Sequence, residues 1–282
     1  MMMSLVWAIV PLVVACERVV AVKVPDGPTR LVVEARLERV QGAGASVQVV
    51  RLTTTDPYFS NRAAPPAVGA VVRVVDEAGT VVTFGETIGE PGVFRSPALL
   101  PVTGRKYTLR IDWQGDRYES TESVAAVAPL DSLWFAKRLS QIGPTDGLRA
   151  TIAFRDPDGT KNFYVWDQLI DGRRIVSPDT GVYYRAIASD DLLEGRRVRA
   201  AQPYGGIVVK PGQEVTMRQI GISEGIYRYF QAISEQAQNQ GSPFASPAAS
   251  VAGNVANLTR PSVRALGYFL AGEVSEVRRR VP

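Results

Sequence analysis

The 282-residue chain has no histidine and a single cysteine, Cys16. The first absence removes every Ser-His-Asp and Cys-His nucleophile and every histidine-ligated zinc centre. The second removes any disulfide within the chain and any thiolate metal cage. The fold must then be held by packing alone, which a chain of this length can supply. No repeat of 20–50 residues is visible, so a solenoid or propeller is not indicated. No basic stripe lies in a recognisable nucleic-acid module, and no nucleic-acid partner is expected. What survives these exclusions is carboxylate chemistry and oxygen-ligated Ca²⁺.

The chain is 45% hydrophobic and 21% charged, which indicates a folded core rather than disorder. The net charge is +4. Residues 17–128 carry 13 basic and 13 acidic side chains, and the remainder carry 19 and 15. Much of the surplus sits in Arg260, Arg264 and Arg278-Arg279-Arg280. Two readings stand for it: a solvated C-terminal edge, or a contact to lipid headgroups or an acidic partner.

Leu5 to Ala15 is almost wholly apolar and ends directly at Cys16. The run is too short to cross a bilayer, which takes about 20 residues, and suits the apolar core of a signal peptide. Val13-Val14-Ala15-Cys16 resembles a bacterial lipobox, with a small residue placed before the acylated cysteine. Residues 1–15 are therefore expected to be a signal peptide and Cys16 the lipid-bearing first residue of the mature protein. Met1-Met2-Met3-Ser4 carries no Lys or Arg, so the start lies at one of Met1, Met2 and Met3 or upstream. Acyl chains bury CH₂ groups at about 0.8 kcal/mol each, enough for a stable anchor.

Beyond a linker at 16–28, Val-, Thr- and Tyr-rich segments of period two recur between turn signals. They cover Leu31–Leu37, Val47–Leu52, Val68–Val75, Thr80–Phe84, Gly92–Arg95, Lys106–Trp113 and Arg117–Glu122. Seven short strands in about 100 residues indicate an immunoglobulin-like β-sandwich over 29–127. Val127-Ala128-Pro129-Leu130 marks a boundary, since proline interrupts strand pairing. A second β-rich domain over 128–282 is expected from Asp131–Ala136, Leu148–Phe154, Phe163–Ile170, Val215–Ile220 and Gly267–Val274. Asp171-Gly172 is a hairpin signal. Ser223 can cap a helix over about 223–238, because Ile226, Phe230 and Ile233 share one face. The stretch Ser242 to Ser262 reads as an ordered loop. The fold class is thus mainly β, a sandwich followed by a β-rich domain with one α-helix.

These pieces, in order, resemble the DUF4249 family of Bacteroidota lipoproteins. The likeness is carried by Cys16-Glu17-Arg18-Val19-Val20, Leu31-Val32-Val33-Glu34, Asp56-Pro57-Tyr58-Phe59-Ser60-Asn61, Pro91-Gly92-Val93-Phe94, Pro129-Leu130-Asp131-Ser132-Leu133 and Asp156-Pro157-Asp158-Gly159. Gly104 to Tyr107, Asn162-Phe163-Tyr164, Asp190-Asp191-Leu192-Leu193-Glu194-Gly195, Pro243-Phe244 and Ala265-Leu266-Gly267-Tyr268-Phe269 extend it. The family is similar in setting to lipoproteins found beside TonB-dependent receptors. It implies an outer-membrane, lipid-anchored protein, on the periplasmic or the cell-surface face, with an outer-membrane β-barrel as possible partner. It carries over no catalytic residue.

Three constellations are open to a chemical reading. Asp156-x-Asp158-Gly159, with Asp167 and Asp171 downstream, invites Ca²⁺, but with Thr160, Lys161 and Asp167 at the following positions, and no distal Glu, the ligand count of an EF-hand loop falls short. A Pro-Asp-Gly turn explains the run better. Asp190, Asp191 and Glu194 precede Gly195-Arg196-Arg197, where a turn or ion pairs explain them better than a catalytic pair. Tyr58, Phe59 and Asn61 lie in a long connection ending at Pro65-Pro66, and are candidates for a partner or ligand contact against a local packing role. The aromatics of the second region, Trp134, Phe135, Phe163, Tyr164, Trp166, Tyr183, Tyr184, Tyr227, Tyr229, Tyr268 and Phe269, divide between core and an outer stacking face. The expected function is non-catalytic: ligand capture for, or docking to, a TonB-dependent receptor, with no cofactor and no metal. A surface adhesin or structural lipoprotein is the alternative.

Overall fold

The structure is a computed structural model that describes residues 28–56, 62–139, 146–176, 185–191, 193, 195–238 and 251–282. Its first half holds β1 (Leu31–Val40), β2 (Val49–Thr54), β3 (Val71–Asp76), β4 (Val81–Glu86), β5 (Val93–Arg95), β6 (Lys106–Trp113) and β7 (Asp116–Ser123). The second half holds β8 (Leu130–Ala136), β9 (Arg149–Arg155), β10 (Phe163–Ile170), β11 (Arg173–Arg174), β12 (Ala186–Ser189), β13 (Arg197–Ala201) and β14 (Glu214–Gly221). The helix α1 (Glu224–Gln238), β15 (Ala256–Asn257) and β16 (Leu266–Arg280) complete it. The protein is mainly β with one helix among the described residues, as the sequence pattern indicates.

In the first half the period-two pattern translates directly into facing. Leu31, Val33, Ala35 and Leu37 of β1 point inward, as do Tyr107, Leu109, Ile111 and Trp113 of β6. Their core is closed by two layers, β16-β1-β2-β5 and β4-β3-β6-β7-β15, and β4 is the corner that joins them. Val81 to Phe84 pair with β3, while Gly85 and Glu86 pair with β5, so one strand serves both layers. Gln114-Gly115 and Asp171-Gly172 both have positive φ at both positions, the backbone that a two-residue hairpin turn requires.

The two halves share one sheet. β16 pairs in parallel with β1 from Val32↔Leu266 to Val40↔Val274, and antiparallel with β14 from Ile220↔Val274 to Glu214↔Arg280. Its Phe269 and Ala271 complete the sandwich core, while Tyr268, Leu270 and Val274 face the other way. The central sheet then continues through β14 to β10. One face of that continuation is covered by the small sheet β13-β9-β8, through Leu133, Ile152 and Phe154 against Tyr164, Trp166 and Met217. The opposite face is covered by α1, through Ile226 and Phe230 against Val165, Ile220 and Tyr268.

The helix starts where the cap predicts: Ile226 N donates to Ser223 Oγ at 3.3 Å. Glu224 in its first turn also complements the helix dipole. β16 departs from the expected Gly267–Val274 by running on to Arg280. Arg278-Arg279-Arg280 therefore sit in a strand paired with β14, with exposed side chains, instead of on a free edge. Within the stretch read as a loop, β15 pairs with β7 and so lies on the N-terminal sandwich.

β16 crosses β14 closely enough that side chains are excluded. A Cβ on Gly272 would lie 2.0 Å from the Gly221 carbonyl oxygen, far inside contact distance. Ala125 bridges Gly272 at the same point, so the connection between the halves is laid directly across the two strands.

Candidate functional site

The polar feature that stands out is a cluster of charges on the α1-side face of the central sheet. Register puts it there. Asp167 of β10 is opposite Arg218 of β14, which is opposite Glu276 of β16. Arg174 is opposite Leu169, two residues from Asp167 and on the same face. Arg185 immediately precedes β12, whose Ala186 pairs with Trp166. Arg36 and Glu38 come from β1, two strands beyond β14.

Asp167 is fully buried. Arg36 Nη1 donates to its Oδ2 at 2.8 Å. Arg174 Nη2 lies 3.4 Å and Arg218 Nη1 3.8 Å from the same oxygen, and Arg185 Nη1 lies 3.6 Å from Oδ1. Glu38 takes Arg36 Nε at 2.8 Å and Arg218 Nη2 at 2.6 Å, while Glu276 takes Arg218 Nε at 3.1 Å. Arg185 also lies over the rings of Phe230 and Tyr268, at 5.1 and 5.8 Å from their centroids. One guanidinium thus ties the helix to the charge cluster.

The electrostatics follow from crowding. Burial alone would push the Asp167 carboxyl up, but Arg36, Arg174, Arg185 and Arg218 outweigh it and hold the group well below the usual carboxylate range. Burial likewise opposes ionisation of Glu38, and Arg36 and Arg218 reverse it. Arg36 is raised, because Asp167 and Glu38 overcome its desolvation. Arg174 goes the other way: burial and the neighbouring Arg36 lower it against the pull of Asp167. The cluster is therefore locked in its ionised form. Removing one member of such a buried set costs about 3–5 kcal/mol, because its partners stay behind without compensation.

A second constellation closes the sandwich. Asp116 at the β6–β7 turn takes Arg260 Nε at 2.8 Å and Nη2 at 2.6 Å, and also accepts from Asn257 and Tyr118. Those hydrogen bonds, that of Arg260 foremost, bring its carboxyl down to about 2. A hollow of about 240 Å³ lies beside it, lined by Asp112, Trp113, Arg117 and Thr259 among others. Its acidic groups are already engaged: Asp112 pairs with Arg73 and Arg117.

The residues singled out from the sequence are dispersed. Cys16, Tyr58, Phe59 and Asn61 lie outside the described residues, as do Tyr183, Tyr184 and Glu194. The four acidic positions around Asp156 do not converge. Asp156 is buried and accepts from Tyr164 Oη at 2.5 Å, Asp158 lies beside Gly195, and Asp171 accepts from Glu214 N at 2.9 Å in its hairpin. Among the described residues no group of three or more acidic side chains is placed to hold a metal ion. Asp190 turns inward to accept from Asn162 N, whereas Asp191 turns outward to Ser189 and Lys161. The aromatics divide as expected, with Tyr164, Trp166, Phe269 and Tyr268 in cores and Tyr227 and Tyr229 half-buried on α1. The charge cluster itself was not singled out. Its signal is present in β10 and β14, where Asp167 and Arg218 interrupt runs that are otherwise buried.

Comparison with known proteins places the chain as follows. A family model described as "Domain of unknown function (DUF4249)" matches residues 17–278. No curated protein matches. Among solved structures, a DUF4785 family protein from Legionella pneumophila subsp. pneumophila str. Philadelphia 1 is 13% identical, with a TM-score of 0.22. The match covers 68% of this chain and 53% of that one, so the chain spans about half the length of that protein.

Proposed function

We propose a role from one premise, that this chain belongs to the DUF4249 family. The protein is a non-catalytic, lipid-anchored accessory of the cell envelope, held at the outer membrane through Cys16. It captures a ligand for, or docks to, a TonB-dependent outer-membrane receptor. The observation that carries this reading is Cys16 directly behind the apolar run Leu5–Ala15, in a chain with no other cysteine.

Among the described residues the electrostatics prepare no general acid beside a second carboxylate, in keeping with this reading. A general acid needs a carboxyl held protonated near neutral pH. Asp167, Glu38 and Asp116 are all driven the opposite way. Among the described residues only Glu122 has its carboxyl pushed up, by burial, and its neighbours are Ser223 and Asn254 instead of a second acid. From Cys16 to Leu31 is 15 residues, at most roughly 50 Å of chain, so an acylated cysteine would keep the folded part close to the bilayer.

Two measurements test the reading. Mass spectrometry of the mature N-terminus should find a diacyl or triacyl Cys16, and Cys16→Ser should release the protein from the membrane fraction. Gentle detergent extraction should co-purify a β-barrel protein. An unmodified Met1 in the soluble fraction would defeat the anchor. Acylated protein recovered without any barrel would defeat the receptor link and favour an adhesin or structural lipoprotein.

A further inference from the structure

The cluster's four arginines face three carboxylates, Asp167, Glu38 and Glu276, and the surplus lies on one flank. Arg36 and Arg218 each bring two nitrogens within 2.6–3.1 Å of a carboxylate. Arg174 and Arg185 approach Asp167 only to 3.4 and 3.6 Å, longer than the 2.7–2.9 Å of a charge-assisted hydrogen bond. The Arg174 side chain is 36% exposed and that of Arg185 17%, against 12% for Arg36 and 11% for Arg218, so this is the least buried flank of the cluster. Arg185 is held flat by Phe230 and Tyr268, and its orientation is fixed in advance. Asp167 Oδ1, buried and directed at this flank, accepts no hydrogen bond.

We propose that Arg174 and Arg185 form an oxyanion site on the least buried flank of the cluster, with Asp167 Oδ1 at its floor. Its occupant is a small ligand with a carboxylate or phosphate group that also carries a hydroxyl. The oxyanion oxygens accept from the two guanidinium groups, whose planar forks suit such groups. The adjacent O–H donates to Asp167 Oδ1, which explains how an anion sits beside a buried carboxylate. Hydrogen phosphate and a 2-hydroxycarboxylate both meet this description; a plain carboxylate or chloride does not. The basicity of Arg174 is lowered by burial first and then by the neighbouring Arg36 and, less, Arg185, and an anion bound beside it would offset the crowding part. The site gives chemistry to the ligand-capture reading and rests on it only for its use in the cell.

The test is calorimetric titration of the whole chain in detergent at pH 7 and fixed ionic strength. The probes are inorganic phosphate, lactate and propanoate. Saturable binding of phosphate and lactate is expected, with propanoate weaker. Arg174→Gln and Arg185→Gln should each weaken binding roughly ten- to hundredfold. Arg174→Lys should lose part of it, because charge remains without the fork. Arg110→Gln, an exposed arginine of β6 paired with Glu119 and remote from the cluster, should change nothing. An absence of saturable heat, or equal weakening by Arg110→Gln, would overturn the site. Equal affinity for lactate and propanoate would overturn the part given to Asp167. Arg174 is the most exposed of the four arginines, so its variants keep the test informative if Arg185→Gln fails to fold. Titration and barrel co-purification are independent: the first can fail with a barrel recovered, and the second can fail with phosphate bound.

Discussion

The two halves of the central sheet solve burial differently. In the N-terminal sandwich each strand has a dry face and a wet one: β6 alternates strictly, and its charged residues Lys106, Arg110 and Asp112 stay outside. In the second half β10 and β14 are buried along nearly their whole length, because the small sheet covers one face and α1 the other, and β9 is nearly as buried in the middle of that small sheet. A strand covered on both faces cannot send polar side chains to water, so each must find a partner inside. Arg149, Asp156, Asp167, Gln168, Arg218 and Gln219 are all buried there, whereas the described residues from β1 through β7 bury only Asp116, Gln48, Ser96 and Ser120 as polar or charged groups. Gln219 shows how that demand is met: it accepts from Trp166 Nε1 and donates to the Ala128 carbonyl, both at 2.9 Å. The first half is specified by apolar packing. The second is specified by polar partners as well.

The largest break in this contrast is expected at Asp167. Asp167→Ala should cost about 3–5 kcal/mol in urea unfolding, since four arginines lose their shared anion. The loss should depend on pH. The folded-state pKa of Asp167 is depressed, so its contribution is fully present above the unfolded value, near ~3.9, and disappears as pH falls toward the folded value. Asp167→Asn should therefore flatten the acid limb of the stability profile. An unchanged acid limb would mean that the cluster does not couple folding to protonation. Next comes Gly272→Ala, where the new Cβ meets main chain instead of a yielding side chain; about 1–3 kcal/mol or more is expected from the same unfolding measurement. A neutral result there would show that β14 and β16 can part without cost, and that the two halves are less tightly joined than the seam implies.

The contrast also explains what the sequence disclosed. Where alternate residues face water, period two is written into the chain, so Lys106–Trp113 could be bounded to the residue. The helix was equally legible, because its apolar spacing and Ser223 are local signals. Short strands such as β11, β12 and β15 carry too few residues to show a period. The parallel pairing of β1 with β16 joins residues more than 230 apart, and nothing local announces it. The charge cluster is hidden for the same reason. Arg36, Asp167, Arg218 and Glu276 become neighbours only through strand order, and each alone reads as an ordinary strand charge. The acidic run at Asp156 to Asp171 was conspicuous because its members are close in sequence, yet their side chains point to different places.

On the exposed side of the comparison the expected effects are small. Arg110 and Glu119 pair across β6 and β7 at 3.0 Å, half and one-third exposed. Glu119→Gln should change stability by less than about 1 kcal/mol, against the several expected at Asp167; similar values at both sites would erase the distinction between the halves. Smallest, and opposite in sign, is Glu122. It lies on β7 at the junction, where Asn254 Nδ2 donates to it at 2.8 Å. Burial raises its carboxyl, and the hydrogen bonds from Ser223 and Asn254 offset this only in part. A raised folded-state pKa means that the folded protein prefers the protonated form. Glu122 therefore costs nothing below the unfolded carboxyl value near ~4.3, and its penalty grows as pH climbs to the folded value. Glu122→Gln keeps an acceptor for Asn254 and removes the charge. It should raise the melting temperature slightly at pH 7 and leave it unchanged at pH 4. A loss of stability at pH 7 would mean that the ionised carboxylate is wanted at the junction, and that polar partnership begins in the first half and not beyond it.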